Sequence, residues 1–191
     1  MKLKKSQGGF TLIEILVALV IITLLVTAIA SQVDLSHSRA DTLIAQMSDL
    51  GSANQRLKTD TGCYVNMPEA LYDYNSAQTP ANNYCGVTFS SQWNGPYVSR
   101  FSVASGGIAR IDKIANGATM QFGTEQDAQG GTIYYVQADG IPADIVKQAL
   151  QTCNGDNNTS DTFANSKCEV SLSSGAGTNL GSVKMLYDET R

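Results

Sequence analysis

The sequence has little histidine, tryptophan or proline: one, one and four residues among 191. The only histidine is His37, so no Ser-His-Asp set can be built around the rest of the chain, and we expect a solvated surface histidine. No two cysteines have Cys-x-x-Cys spacing, which argues against a zinc ribbon. These absences favour a protein that is not an enzyme and needs no cofactor or metal.

Positive charge is also scarce, and it is scattered after Lys5. The chain has 13 Lys and Arg against 17 Asp and Glu, a net charge of −4. Without the three lysines that precede Phe10, 10 basic residues face 17 acidic ones, for a net charge of −7. Broad nucleic-acid binding needs a basic footprint, so it is not expected, although a local basic patch stays open.

Residues 10–30 form the longest apolar run, and Glu14 is its only charged residue. At about 1.5 Å per residue this run is ~31 Å long as a helix, which matches a hydrocarbon core. The carboxylate costs about 3 kcal/mol at most, and the surrounding aliphatic residues outweigh that cost. Lys2, Lys4 and Lys5 favour a cytoplasmic N-terminus. The pattern therefore predicts a transmembrane helix.

Two plain interpretations of this run stay open. In the first it is a secretory signal peptide, with a small-residue cleavage site between Ala28 and Ser31. In the second it is a simple signal anchor in which Glu14 has no role. Neither interpretation accounts for the glycine pair directly before the run.

The stretch from Lys4 to Glu14, KKSQGGFTLIE, resembles the class III signal sequence of type IV prepilins and type II secretion pseudopilins. The resemblance implies that a prepilin peptidase cuts after Gly9 and methylates the new N-terminal residue, Phe10. It also implies that Glu14, five residues into the mature chain, takes part in assembly. It covers only about the first thirty residues.

The resemblance explains why a carboxylate stands in an apolar run. Cleavage creates an amine on Phe10, about one helical turn from Glu14. A buried ion pair tolerates two charges far better than either charge alone. In a filament, Glu14 can instead reach the Phe10 amine of a neighbouring subunit, which would penalise every arrangement that leaves it unpaired.

The implied protein is a structural subunit of a type IV pilus, and the alternative is a minor pilin or a secretion or competence pseudopilin. Its expected partners are further copies of itself in a helical filament, the prepilin peptidase and the inner-membrane assembly machinery. Its expected location is the bacterial inner membrane as a precursor, and an extracellular pilus or periplasmic pseudopilus after assembly. The expected organisation is a leader at 1–9, a transmembrane and assembly helix at 10–30, an amphipathic helix at 31–61 and a globular head at 62–191.

Four cysteines, Cys63, Cys85, Cys153 and Cys168, follow the predicted membrane segment, on its non-cytoplasmic side. An even number in an oxidising compartment favours disulfides, and four cysteines allow three pairings. We prefer 63–85 with 153–168, because each bond then closes one loop between structured segments. The resemblance matches the second pair to the cysteines that bracket a C-terminal loop in many members of the family.

The helical pattern continues beyond residue 30. Apolar residues recur mostly at spacings of three, four or seven, which predicts one buried stripe; they are Val33, Ala40, Leu43, Met47, Leu50 and Leu57. Charged residues take the opposite face, and Gly62 is a plausible stop. One helix is therefore predicted from Phe10 to about Thr61. No Gly or Pro breaks it before Leu50, but Thr23, Thr27 and Ser31 can bond to a carbonyl four residues earlier and bend it.

Residues 62–95 are expected to be irregular, and strands are expected after them. Asn116-Gly117 is a hairpin signal, and Pro142 suits the first turn of a helix. The predicted strands are 96–103, 107–115, 118–125, 132–139, 169–174 and 182–189, and the predicted helix is 142–153. The fold class is α+β: a long N-terminal helix, half transmembrane and half amphipathic, packed on an antiparallel sheet, with two disulfide-closed loops.

The loop between Cys153 and Cys168 is rich in oxygen-bearing side chains. Asp156, Asn158 and Asp161 are candidate calcium ligands, but the spacing is not that of an EF-hand. A turn-rich loop without a metal is the alternative interpretation. Asn157 begins a glycosylation sequon, a match that is common by chance.

Overall fold

The computed structural model describes residues 12–30, 35–89, 91–173 and 179–190. The chain divides between residues 35 and 36 into two compact units. Helix α1, Leu12–Ala30, belongs to the first unit. No helix within the described residues combines the length and the apolarity that a membrane crossing requires. The transmembrane span predicted for 10–30 is therefore not confirmed, and Phe10 itself lies outside the described residues.

Helix α2, Leu35–Thr61, carries the predicted stripe to the core of the second unit. The stripe residues from Ala40 to Leu57 are all buried, together with Ala53 and Asn54. Exposed charged residues, including Arg39, Asp49 and Arg56, take the other face. The amphipathic prediction is confirmed for these residues. Whether α1 and α2 form one continuous helix depends on residues 31–34, which lie outside the described residues.

Two glycines shape α2. Gly62 follows its last residue with φ +81°, a conformation that glycine adopts without a Cβ penalty, and its N–H donates to the Lys58 carbonyl at 2.7 Å. At Gly51, an added Cβ would lie 2.7 Å from Cβ of Tyr187. The helix therefore approaches the sheet closely because position 51 has no side chain.

The sheet has five strands in the order β1-β2-β3-β5-β4, and every pairing is antiparallel. The last strand is inserted between β3 and β4, so the chain passes from β3 to the edge strand β4 and then returns as β5, which pairs with both. The strands are β1 Ala109–Arg110, β2 Thr119–Gln126, β3 Thr132–Pro142, β4 Cys168–Leu172 and β5 Leu180–Thr190. Helix α4, Ala143–Asn154, follows β3 and buries Ile145, Val146, Ala149 and Leu150.

Helices α2 and α4 lie side by side on one face of the sheet. Ser36 Oγ donates to Asp144 Oδ2 at 2.7 Å, and Thr152 Oγ1 donates to Asp41 Oδ1 at 2.9 Å. The first of these bonds is the largest cause of the lowered pKa of Asp144. These polar contacts close the rim of the interface between the two helices.

The strand predicted at 96–103 is wrong. The backbone N–H of Tyr97 donates to the Leu71 carbonyl at 2.8 Å, and its carbonyl accepts from Arg56 at 2.8 Å. Because Leu71 and Arg56 use these two groups, Tyr97 does not form the backbone hydrogen bonds that would pair it with a neighbouring strand. Only Val103 makes an isolated bridge, to Ala109.

The hairpin predicted at Asn116-Gly117 is real, but its connection is longer than expected. Residues 111–118 form a loop between β1 and β2, closed by the Ile111 N–H to the Ala118 carbonyl at 3.0 Å. The predicted strand 107–115 is thus reduced to two residues. The irregular segment after Gly62 contains short helices at Pro68–Leu71, Tyr74–Ala77 (α3) and Pro80–Asn82.

All four cysteines are paired, as Cys63–Cys85 and Cys153–Cys168. This is the pairing that the loop argument favours. The Cα atoms of the two pairs are 6.2 and 6.1 Å apart, within the usual range. The second unit is therefore α+β with an antiparallel sheet and two disulfides, as the sequence predicts, but the sheet has five strands and not the six predicted segments.

Candidate functional site

The surface of α1 is apolar on every side over residues 13–22. Large aliphatic side chains in this stretch are half or more exposed: Ile13 70%, Ile15 51%, Leu16 55%, Val17 50%, Leu19 58%, Val20 50%, Ile21 51% and Ile22 54%. Soluble monomers rarely expose so large a contiguous apolar surface, because each such side chain gains about 1.5–3 kcal/mol on burial. This helix surface can therefore serve as a contact surface for another apolar phase or chain.

Glu14 is the one charged residue on this surface. It lies in the first turn of α1 and is exposed. A carboxylate in the first turn interacts favourably with the positive end of the helix dipole. No ion pair of Glu14 occurs within the described part of the chain. The proposed cleavage residue Gly9 and the proposed methylated residue Phe10 lie outside that part.

Thr23 is the described member of the predicted helix-bending series. Its hydroxyl donates to the Val20 carbonyl at 2.9 Å, three residues earlier. The side chains of Thr27 and Ser31 lie outside the described ones. The Thr23 side chain therefore bonds back to the helix backbone, as the sequence suggested, and one acceptor is the carbonyl three residues earlier.

Two polar clusters join α2 to β5 in the second unit, and sequence reasoning missed both. In the first, Lys58 Nζ lies 3.0 Å from Asp188 Oδ2 and 4.4 Å from the centre of the Tyr64 ring, and the Tyr64 hydroxyl donates to the same carboxylate. Burial and this hydrogen bond raise the pKa of Tyr64. Burial opposes ionisation of Asp188, but the bonds from Tyr64 and Lys58 outweigh it and lower the Asp188 pKa.

Aromatic packing adds to the polar contacts of this first cluster. The Tyr64 ring also packs against Tyr134 and Tyr187, with centroids 4.4 and 5.5 Å apart. Burial raises the pKa of Tyr187 as well. The cluster therefore acts as a clamp between the end of α2 and the last strand.

The second cluster is centred on Asn54, which lies on α2 and is fully buried. Its Oδ1 accepts from the Val65 N–H at 3.0 Å, and its Nδ2 donates to the Val65 carbonyl at 2.9 Å and to the Tyr187 hydroxyl at 2.9 Å. The Asn54 amide thereby provides hydrogen-bond partners for both the N–H and the carbonyl of Val65, a buried residue in the segment after α2. Sequence reasoning missed Asn54 because a polar residue among the apolar residues of the stripe looks like an interruption of the pattern.

The remaining candidate residues are engaged locally. His37 is exposed, and its Nδ1 lies 3.1 Å from Asp41 Oδ2 one turn along α2. In the loop after α4, Asn158 Nδ2 donates to Asp161 Oδ1 at 2.6 Å, and Asp156 Oδ1 accepts from the Asn158 N–H at 3.1 Å. Among the residues that the structure describes, no three His, Cys, Asp or Glu side chains are grouped to hold a metal ion. Asn157 in the sequon is exposed.

Comparison with known proteins adds one finding. Residues 4–30 match the family model for the prokaryotic N-terminal methylation motif, which confirms the resemblance to the class III signal peptide of type IV pilins. The motif indicates a type IV pilin-like or pseudopilin precursor, which suggests a structural protein. It implies processing by prepilin peptidase and assembly into pili or pseudopili. No curated protein and no solved structure matches the chain significantly.

Proposed function

We propose that this chain is a structural subunit of a type IV pilus that is cut after Gly9, methylated on Phe10 and polymerised through α1. The observation that carries the proposal is the all-round exposed apolar surface of α1, with its single carboxylate, next to the methylation motif. Such a surface needs cover on all sides. A filament core made of many α1 helices provides that cover.

Before assembly, the proposal places residues 10–30 in the bacterial inner membrane, with the lysine-bearing end in the cytoplasm. The lipid then covers the side chains that the neighbouring helices cover later. The second unit would remain outside the cytoplasm, where its two disulfides are stable. A minor pilin or pseudopilin would use the same helix in a different assembly.

Glu14 has a distinct role in this scheme. In the membrane its carboxylate raises the cost of insertion, and in the filament it pairs with the Phe10 amine of its own or a neighbouring chain. Loss of the carboxylate should therefore leave insertion unharmed and weaken assembly. Breaking a buried pair by removing one partner typically costs about 3–5 kcal/mol, and the cost recurs at each subunit contact.

The test expresses Glu14→Ala as the only copy, beside wild type and a control, Asp156→Ala, which removes an exposed carboxylate from the loop after α4. Membrane-fraction protein, leader removal and sheared filaments are measured separately. We expect normal membrane levels, a mature chain that begins at N-methylated Phe10, and a strong loss of filaments for Glu14→Ala only. Filaments at the wild-type yield would show that pairing is not the role of Glu14.

The wild-type filaments decide the class of subunit. If this chain is their dominant protein, the major-subunit proposal holds. If it is present only in traces, a minor pilin or pseudopilin is favoured. A mature N-terminus near Ser31, measured by intact mass and N-terminal sequencing, would favour a secretory signal peptide and overturn the proposal.

A further inference from the structure

The fold gathers basic residues that are scattered in the sequence. Arg56 on α2, Arg100, Arg110 on β1 and Lys113 all line one open groove of about 980 Å³ and are exposed; we call it the basic groove. Asp49 is the one carboxylate among its lining residues, so the groove carries a net charge of +3 in an acidic chain.

The charges of the basic groove are available to a partner. None of the ion pairs within the described residues involves its four cationic side chains. Arg56 donates to a backbone carbonyl, that of Tyr97 at 2.8 Å, which leaves its charge without a counter-ion. The floor of the groove contains the buried residues Leu50, Ile111 and Met120. An occupant with negative charge and some apolar surface would fit it.

A second surface has the opposite charge. Glu125, Asp127, Glu169 and Glu189 line one depression at the β2–β3 turn and the end of β5; we call it the acidic surface. Lys184 is the cation beside it, 2.8 Å from Glu125 Oε2 and 3.7 Å from Glu169 Oε2. Among the described residues, these four carboxylates and one cation give a net charge of −3, opposite in sign to that of the basic groove.

The sheet separates the two surfaces. Glu125 and Glu189 both lie opposite Ile133 in the antiparallel register, so these three side chains share one face. The next residue, Tyr134, points to the other face, where its ring meets Tyr64 beside α2. The basic groove is built partly from α2 and therefore lies on that other face. One copy of the chain cannot bring its own two surfaces together.

We propose that the basic groove of one copy of this chain docks on the acidic surface of a second copy. The contact is head-to-tail, because each copy uses a different surface from its partner, and a contact of this kind repeats along an open helical assembly. Matched charges of opposite sign fix the register and speed the encounter. The inference rests on the proposed function, and it adds a charge-specific contact between the second units of neighbouring subunits.

A single-stranded nucleic acid is the competing occupant of the basic groove. Tyr97 and Phe101 line it as well, and aromatic residues beside cations can stack bases. However, the ring of Phe101 already makes an edge contact with Tyr72, and that of Tyr97 with Trp93. Nucleic acid would also leave the acidic surface without a function. The two occupants are separated by what happens when the acidic surface is altered.

The test is a charge swap in the full-length chain, expressed as the only copy. One variant reverses the groove with Arg110→Glu and Lys113→Glu. A second brings the acidic surface from −3 to a net charge of +1, with Glu189→Lys and with Ala128→Lys and Gln129→Lys on the exposed turn beside it. A third carries both sets, so that opposite charges face each other again. The control, Lys147→Glu with Lys167→Glu, changes two exposed lysines outside the groove by the same total charge as the first variant.

We expect each single set to lower the yield of sheared filaments by about tenfold, and the combined set to restore it to within about twofold of wild type. The control should stay near wild type, and all variants should reach normal membrane levels with both disulfides formed. Loss with the groove set and no rescue by the combined set would point to nucleic acid or another partner and overturn the inference. Filaments at the wild-type yield with both single sets would also overturn it, and would leave the proposed function intact. Failure of the proposed function shows separately, as wild-type cells whose filaments lack this chain.

Discussion

Asn54 offers the most direct test of how the second unit holds together. Within the described residues, the Val65 N–H and carbonyl form hydrogen bonds only with the Asn54 amide, and Val65 is fully buried. The variant Asn54→Leu keeps a side chain of similar size and removes every one of these bonds. Two buried backbone groups then lose their partners.

The magnitude follows from those two groups. An unsatisfied buried donor or acceptor costs about 1–3 kcal/mol, so the pair should cost about 2–6 kcal/mol. The added apolar burial of leucine offsets part of that cost, and the broken contact with the Tyr187 hydroxyl adds to it. Because a domain is stabilised by only about 5–15 kcal/mol in total, the change should be large.

The assay is urea unfolding of the full-length chain in detergent micelles. Trp93 is the only tryptophan, it is half-buried against the core, and its Nε1 donates to the Ala70 carbonyl, so its fluorescence reports the second unit. With a slope of about 2 kcal/mol per molar, the midpoint should fall by about 1–3 M. The control Ser52→Ala, an exposed position on the same helix, should shift it by less than about 0.3 M. A midpoint for Asn54→Leu equal to that of the control would refute the reasoning.

Two further predictions use the same assay. Replacing Cys153 and Cys168 together by serine should lower the free energy of unfolding by about 3 kcal/mol, since the bond closes a loop of 15 residues; an unchanged midpoint would contradict this. Asp188 has a lowered pKa in the folded chain. Its contribution to stability is therefore present above the unfolded pKa of about 3.9 and is lost as the pH falls through the folded value. Asp188→Asn should lower the midpoint near pH 7 and reduce its fall toward acid, whereas an equal acid slope in variant and wild type would contradict the role assigned to this carboxylate.

The elements of the second unit differ in how far they could be predicted. Helix α2 was predictable because its buried positions follow the helical period, which is a local property of the chain. The alternation at 96–103 looked equally good, yet Tyr97 gives its backbone groups to Leu71 and Arg56. A strand exists only where a partner strand is available, and the pattern of one segment does not reveal its partners.

The features of the candidate site also differ in how far the sequence could predict them. The glycine junction and Glu14 stand in one short linear motif, and a peptidase that reads a linear segment needs no folded neighbour. The clamp of Lys58, Tyr64 and Asp188 joins residues more than a hundred positions apart, and nothing near Asp188 in the sequence signals it.

The sequence by itself thus determined the class of N-terminal segment, the amphipathic face of α2 and the disulfide pairing it favoured. The physical reason is that these features depend on residues close together along the chain, or on a small number of possible pairings. Only the tertiary structure decided the insertion of β5 between β3 and β4, the place of Asn54, and the gathering of Arg56, Arg100, Arg110 and Lys113 into one groove. Those features depend on distances between residues remote in sequence, which chain packing alone sets.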